Sequence, residues 1–150
     1  MTDWFVRKFV EESNRIEGID RITDAELEAH FKFLRLDRPT VDSLEALVAV
    51  LQPNAQLRRR EGLDVRVGTY YPPRGGPAIE EDLRLILAAD KDLSEFSTWK
   101  THLQYERLHP FTDGNGRSGR ALWAWAQLKS GRGIRLGFLH QFYYQTLRFT

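Results

Sequence analysis

The sequence predicts an all-α protein that is interrupted by one short β-hairpin. Apolar residues recur at helical spacing over most of the 150 residues, and capping residues mark where helices start and stop. The stretch "RALWAWAQLK" is apolar on most sides, which is typical of a central, buried helix. Only residues 63–77 alternate apolar and polar side chains in the manner of strands.

Helix boundaries follow from the capping residues. The first helix is predicted over 3–17, with Asp3 as its N-cap and Gly18 as its stop. Thr23 begins the second helix, because Glu26 stands at the capping-box position. The other helices are predicted over residues 42–52, 78–89, 95–108, 115–131 and 138–149.

The exception is the segment "LDVRVGTYYPPRGGP", residues 63–77. Val65 and Val67 alternate with polar neighbours, the chain turns at Gly68, and two prolines then end the pattern. This arrangement predicts a short hairpin, or flap, rather than a helix.

Composition limits the class of protein. A chain of 150 residues with 41% hydrophobic residues can bury a core, and we expect one domain over 1–150. There is no cysteine, which excludes disulfides and cysteine-based zinc sites. The sequence contains neither a signal peptide nor an apolar stretch long enough to span a membrane, so we expect a cytoplasmic protein.

Charge is distributed unevenly along the chain. Every Asp and Glu lies at or before Asp113, while the remaining 37 residues contain six Lys and Arg. This basic region would favour an anionic ligand such as a nucleotide, or it is simply a solvated surface. Aromatic residues are not interleaved with the basic ones, so a nucleic-acid partner is weakly supported.

The stretch "HPFTDGNGRSGR", residues 109–120, contains the densest set of chemically active side chains. Its glycines fit G-x-G-x-x-G, but a helical pattern precedes it and no acid follows Asp113, which excludes a dinucleotide-binding unit. His102 and His109 are seven residues apart without an H-E-x-x-H motif, so a zinc hydrolase is poorly supported.

Phosphoryl or nucleotidyl transfer uses almost all of these residues. Backbone N–H groups at a helix start that follows Gly114 would form an anion nest. Arg117 and Arg120 are three residues apart and can lie beside it, with Gly119 as spacing between them. Asp113 can hold Mg²⁺, and His109 can accept the proton of a hydroxyl. Taken singly, the same residues would be a helix-ending histidine, an N-cap and solvated arginines.

The twelve residues match H-x-F-x-[DE]-G-N-G-R-x-x-R in full, and the chain resembles the Fic domain family. The preceding "YERLHPF" and the "YYPP" flap also lie where that family has them. The resemblance implies a Fic-type helical bundle that transfers AMP from ATP to a Ser, Thr or Tyr hydroxyl of a target protein. Some relatives with lysine at the second motif glycine are kinases, so Gly116 favours nucleotidyl transfer; phosphocholine and UMP donors stay open.

Site residues are implied by this resemblance. His109 would be the general base, Asp113 the Mg²⁺ ligand and Phe111 a buried anchor for the loop. The residues implied in nucleotide and phosphate binding are Gly114, Asn115, Gly116, Arg117 and Arg120. The flap, residues 63–73, would bind the target segment as an added strand through Gly68, Thr69 and Tyr70.

A second motif lies at the end of the first predicted helix, within residues 1–18. Ser13 and Glu17 share one helix face, and a glutamate in a last helical turn opposes the helix dipole unless it has a cationic partner. "SNRIEG" resembles the inhibitory motif [ST]-x-x-x-E-[GN] of many Fic proteins. The resemblance implies that Glu17, followed by Gly18, pairs with Arg120 and obstructs placement of the γ-phosphate; the alternative is an exposed glutamate before a capping glycine.

The expected function is a self-inhibited protein adenylyltransferase that uses ATP and Mg²⁺. The alternatives are a nucleotide-binding regulatory or toxin-partner module without turnover, an enzyme that also removes AMP, and a nucleic-acid-binding domain. Relief of inhibition through changing contacts would suit a weak homodimer.

Overall fold

A computed structural model describes residues 2–89 and 93–133, and over these residues the protein is a bundle of six helices. The helices, in chain order, are α1 (Asp3–Ile16), α2 (Asp24–Leu34), α3 (Val41–Leu51), α4 (Pro77–Ala89), α5 (Glu95–Leu108) and α6 (Asn115–Lys129). The helix predicted over 138–149 lies outside the described residues. The assignment of 1–150 to one domain stays a prediction.

Capping residues explain most of the boundaries. The Thr23–Glu26 capping box is present as predicted, and a second one joins Thr40 to Ser43 at the start of α3. The N-cap prediction for α1 is wrong by one residue: Thr2 has the extended backbone of an N-cap and accepts a hydrogen bond from the Phe5 N–H, while Asp3 is the first helical residue.

The end of α1 forms a Schellman motif around Gly18. This glycine has φ +75°, its N–H donates to the Arg15 carbonyl at 2.9 Å, and the Ile19 N–H donates to the Asn14 carbonyl at 2.9 Å. Glu17 is therefore the C-cap residue, at the point where the chain leaves the helix.

The central, buried helix predicted from the apolar sequence is α6, which packs against α1, α2, α3 and α5. Twelve of its fifteen residues are buried. Around it lie fully buried side chains of α1 (Val6, Phe9, Val10), α3 (Leu44) and α4 (Leu83). Burial of α6 also places the polar residues of the motif beside the hydrophobic core. None of the described helices combines the length and apolar character needed to cross a membrane.

The β-hairpin prediction is wrong for the described residues 63–77. Val67 and Tyr70 exchange two backbone hydrogen bonds of 2.9 Å around Gly68, which has φ +59°, but no strand extends from this turn. Two prolines follow Tyr71 and have no N–H to donate, so they cannot continue a ladder. The flap is consequently a single tight turn at the tip of a loop.

A second isolated pairing connects the residues after α3 to the loop between α5 and α6. Leu57 lies opposite Phe111 in an antiparallel bridge, and the Arg58 N–H donates to the Pro110 carbonyl at 2.8 Å. The Thr112 N–H donates to the Gln56 carbonyl at 2.8 Å. This short pairing fixes the loop that carries the motif.

Candidate active site

The N-terminus of α6 opens into a cleft of about 1000 Å³. Residues from five parts of the chain line it: the end of α1, Gln52 at the end of α3, the flap, the end of α5 with the loop after it, and the first turns of α6. The predicted site residues along its walls are Glu17, Gly68, Thr69, Tyr70, His109, Asp113, Gly114, Asn115, Gly116, Arg117 and Arg120. The other two, Ser13 and Gly18, lie behind Glu17 at the end of α1.

His109 ends α5 in a left-handed backbone conformation, with φ +51°. Its Nδ1 lies 3.2 Å from the Glu106 carbonyl, which selects the tautomer with the proton on Nδ1 and the lone pair on Nε2. Burial lowers the pKa of His109, and the nearby Arg58 charge lowers it further, against opposing contributions from the Glu106 carbonyl and from Asp113. The imidazole is therefore held neutral, as a proton acceptor must be.

Asn115 holds the loop before α6 in a tight turn. Its amide donates to the Phe111 carbonyl at 2.8 Å, and its Oδ1 accepts from the Phe111 N–H at 2.9 Å. Phe111 itself is 1% exposed, which confirms its burial as the anchor of the loop. Because both polar atoms of the Asn115 side chain bind Phe111, its contribution to an anion site would come from the backbone N–H.

The N-terminus of α6 has the geometry of an anion site. Gly114 has φ +78° and turns the chain into the helix without a side-chain cap. The first hydrogen bond along the helix runs from the Ser118 N–H to the Gly114 carbonyl, at 3.0 Å. The N–H groups of residues 115–117 precede that bond and point toward the cleft end of the helix, where the dipole is positive.

Asp113 is exposed to the cleft, and both of its carboxylate oxygens are oriented by neighbours. Oδ1 accepts from the Gly114 N–H at 2.7 Å, and Oδ2 accepts from the Gln52 amide at 2.7 Å. Over the described part of the chain, no three His, Asp or Glu side chains cluster as a metal site would require. A single oriented carboxylate fits Mg²⁺ that takes its other ligands from phosphates and water.

The two motif arginines face different parts of the bundle. Arg117 donates to the Leu51 carbonyl at 3.1 Å and lies 3.6 Å from the Glu26 carboxylate, so it is anchored to α3 and α2. Arg120 faces α1 instead. Both guanidinium groups are buried, with 5% and 1% of the residue exposed, yet both reach the cleft.

Arg120 makes three hydrogen bonds with the end of α1. Its Nε donates to Ser13 Oγ at 2.8 Å, and its Nη2 donates to the Ser13 carbonyl at 2.9 Å and to Glu17 Oε1 at 2.7 Å. The Glu17 side chain is 36% exposed and lies over the N-terminus of α6. The position of Glu17 at a helix end predicted a cationic partner, and that partner is Arg120.

Two motif glycines are required for close packing. A Cβ on Gly116 would overlap Glu17 Oε1 and crowd the Arg120 guanidinium. A Cβ on Gly119 would overlap the Glu106 carboxylate and lie 3.0 Å from the Tyr105 ring. Gly119 was interpreted as spacing between two arginines; its actual role is to let α5 and α6 approach each other.

Two residues of the site were missed from the sequence. Gln52, the C-cap of α3, orients Asp113, and Arg58 donates its Nε–H to the His109 carbonyl at 2.7 Å. The only available signal for Gln52 was its place before Pro53, at a helix end. Arg58 belongs to the run "RRR", which is typical of an exposed surface.

Comparison with known proteins agrees with this geometry. The model of the Fic/DOC family matches residues 47–126, which is just over half of the chain. Protein adenylyltransferase VopS of Vibrio parahaemolyticus serotype O3:K6 (strain RIMD 2210633) is 38% identical over 101 residues, covering 63% of this chain. The matched region is 24% of VopS, so the chain spans about a quarter of the length of this relative. The family match contains the whole loop between α5 and α6 and continues along α6 as far as Ala126: the chain belongs to the Fic/DOC family.

Proposed function

We propose that the protein is an adenylyltransferase that moves AMP from ATP to a hydroxyl side chain of a target protein and is inhibited by its own Glu17. The observation that carries this proposal is the meeting of a neutral histidine, an open helix N-terminus and a buried arginine in one cleft. The similarity to VopS, which is a protein adenylyltransferase, supports the same reaction class.

His109 would act as the general base. The target hydroxyl oxygen attacks the α-phosphorus of ATP while its proton passes to Nε2 of His109. The bond between the α-phosphorus and the bridging oxygen breaks, and pyrophosphate leaves with that oxygen. The target then carries AMP as a phosphodiester, and His109 returns the proton to solvent.

The phosphates would lie against the N-terminus of α6. The N–H groups of residues 115–117 face the place where negative charge accumulates, and the lack of a side chain at Gly116 leaves room beside them, on the side where Glu17 lies. Arg117 is fixed by Leu51 and Glu26, so its guanidinium needs no reorganisation on binding. Asp113 would hold Mg²⁺, which neutralises charge on the phosphates when it is bound.

Self-inhibition would follow from the occupation of Arg120. The Glu17 carboxylate binds Nη2 and lies above Gly116, where a terminal phosphate would approach. A second anion next to this carboxylate would be repelled, and Arg120 cannot serve both partners in the same geometry. ATP would then bind without its phosphates in the productive arrangement.

The flap would hold the target segment beside His109. Backbone groups around Gly68 and Thr69 are exposed on the side of the cleft opposite α1, which allows main-chain pairing with an extended peptide. The modified residue would be Ser, Thr or Tyr, since only a hydroxyl supplies the attacking oxygen used above.

The test is AMP incorporation after release of Glu17. Glu17→Gly, incubated with Mg²⁺ and ATP in a cell lysate, should label proteins at least about tenfold more than wild type, because Arg120 becomes available. Glu17→Gly combined with His109→Ala should abolish the label. Intact mass should show the addition of AMP.

A matched control separates the pairing from a general change in charge. Glu17→Gln removes the ion pair, whereas Glu11→Gln removes a surface pair with Lys8 on the same helix. Glu17→Gln should increase incorporation and Glu11→Gln should not. Failure of both Glu17 variants to add AMP would refute the proposed regulation and activity.

A further inference from the structure

Arg58 is a buried guanidinium bound to backbone carbonyls from two different segments. Its Nε donates to the His109 carbonyl at 2.7 Å and its Nη2 to the Leu108 carbonyl at 2.8 Å. Its Nη1 donates to the Leu63 carbonyl at 3.2 Å and to the Pro73 carbonyl at 2.8 Å. The residue is 0% exposed, so these four bonds are shielded from water.

The environment of Arg58 differs from that of its neighbour. Arg59 is half-exposed and pairs with the carboxylates of Glu45 and Glu80. For Arg58, no described carboxylate lies within ion-pair distance; burial lowers its pKa, and only the more distant Asp64 charge opposes that shift. A buried cation bound by carbonyl dipoles, without a carboxylate at ion-pair distance, is an expensive way to stabilise a fold, because an apolar side chain of similar size would avoid the desolvation cost.

The four carbonyls belong to the two segments that would have to cooperate in the proposed reaction. Leu63 and Pro73 are the two ends of the flap, whereas Leu108 and His109 end α5. The backbone of Arg58 extends the connection, since its N–H donates to the Pro110 carbonyl and its carbonyl accepts from the Gly76 N–H at 2.9 Å. One residue thus closes the base of the flap and binds the backbone of the histidine.

We propose that Arg58 is a positioning residue that joins the flap to His109 in one rigid unit, so that a target segment docked on the flap lies in register with the base. This inference rests on the proposed function. The planar guanidinium suits the task, because its donors point in fixed directions and reach both segments at once. Arg58 does not line the cleft and would not touch either substrate.

The experiment compares Arg58→Gln and Arg58→Lys with Arg59→Gln in the Glu17→Gly background. Hydrogen–deuterium exchange should be about tenfold faster in peptides covering 63–76 and 105–112 of both Arg58 variants, because the flap loses its buried connection to the end of α5 and keeps the exposed bond from the Tyr70 hydroxyl to the Arg107 carbonyl. Arg59→Gln should leave this exchange unchanged. Lysine keeps the charge but cannot reach four carbonyls, so it should not restore protection.

Two activity readouts distinguish positioning from stability. Misplacement of the flap should lower AMP incorporation into lysate proteins by about tenfold to a hundredfold, with the Kd for Mg-ATP within about twofold of the parent. Loss of incorporation and of Mg-ATP binding by the same factor would overturn the inference, as would unchanged exchange over 63–76. If Arg58→Gln does not fold, the same measurements of exchange, AMP incorporation and Mg-ATP binding on Arg58→Lys test the inference.

Failure of this inference can be told apart from failure of the proposed function. Absence of AMP incorporation in Glu17→Gly itself would count against the adenylyltransferase. The connection between the flap and His109 would still be judged by exchange, which requires no activity. Faster exchange in both segments supports the connection, and faster exchange in neither refutes it.

Discussion

The two walls of the cleft are held in place by different means. The end of α1, residues 13–18, continues a helix whose apolar face is buried in the core. Glu17 is the C-cap residue of that helix, and its side chain lies in the cleft. The flap, residues 63–73, has one closed turn and is held by hydrogen bonds, from Arg58 at its base and from the Tyr70 hydroxyl to the Arg107 carbonyl. The wall proposed to inhibit is therefore part of the core, whereas the wall proposed to bind the target is an attachment to it.

This difference predicts how each wall responds to change. A wall built on buried apolar side chains should move only at a large cost in free energy. A wall held mainly by hydrogen bonds, from Arg58 and from the Tyr70 hydroxyl to the Arg107 carbonyl, should loosen locally, without loss of the fold. Regulation would then act through the Glu17 side chain and its immediate partners rather than through removal of the whole helix.

The largest expected effect is that of deleting residues 1–18. Val6, Phe9 and Val10 are each 0% exposed, and their loss should cost about 5 kcal/mol or more, comparable to the whole stability of a small domain. Thermal unfolding followed by circular dichroism should lose its cooperative transition.

The flap supplies the matched control. Replacing its tip, residues 67–70, with two glycines should cost about 1 kcal/mol, because Gly68 and Thr69 are exposed and the bond that is lost, from the Tyr70 hydroxyl to the Arg107 carbonyl, is an exposed one. A stable, cooperative protein after deletion of 1–18 would contradict the distinction between the two walls.

Acid should weaken the protein through its buried histidines. The ring of His30 lies against the ring of Phe9, and His109 lines the cleft. Burial lowers the pKa of both, and it lowers the pKa of His102 to about 3. Below about pH 6.5, the unfolded chain therefore binds more protons than the folded protein. As the pH is lowered further, the free energy of unfolding should fall by about 1.4 kcal/mol per pH unit for each histidine that is still neutral in the folded protein.

Urea unfolding at several pH values between about 7 and 5 would measure this slope. His102→Gln removes one titrating group, so it should reduce the slope of the free energy of unfolding against pH by the contribution of about one proton. A free energy of unfolding that does not change over this range would contradict the assignment of neutral buried histidines.

The smallest expected effect is that of Ser13→Ala, which sharpens the account of the inhibitory wall. The variant leaves the Glu17–Arg120 pair in place but removes the acceptor of the Arg120 Nε–H, at a cost of about 1 to 3 kcal/mol. AMP incorporation should increase a few-fold, less than in Glu17→Gly. Ser43→Ala, which removes a comparable bond of the α3 capping box, should cost stability without increasing incorporation.

Much of this arrangement could be predicted from the sequence because its signals are local. Helix periodicity, the Thr23–Glu26 capping box and the Gly18 stop depend on neighbouring residues, and the structure has all three. The conflict between Glu17 and its helix end predicted a distant cation without naming its surroundings. Only the match to a family motif identified that cation as Arg120.

The failures involve contacts between distant segments. The hairpin was predicted from alternation at Val65 and Val67, but a strand needs a continuous partner, and among the described residues 63–77 the pairing is a single bridge between Val67 and Tyr70. Arg58 is buried because four carbonyls from two segments surround it, which a run of three arginines does not reveal. Gly119 was interpreted as spacing between two arginines, whereas the structure shows that a side chain at this position would overlap Glu106 on α5.

Because α1 ends in a Schellman motif directly after Glu17, the contact proposed to inhibit depends on the number of residues between Ser13 and Glu17. Ser13 and Glu17 both meet Arg120 because four residues bring the chain round by a little more than one helical turn, and Gly18 ends the helix immediately afterwards. One residue inserted between them would rotate Glu17 by about 100° about the axis of α1 and carry it away from Arg120. The spacing of Ser13 and Glu17 therefore sets the contact: an insertion or deletion of one residue between them should abolish the proposed inhibition with every side chain of the pair still present.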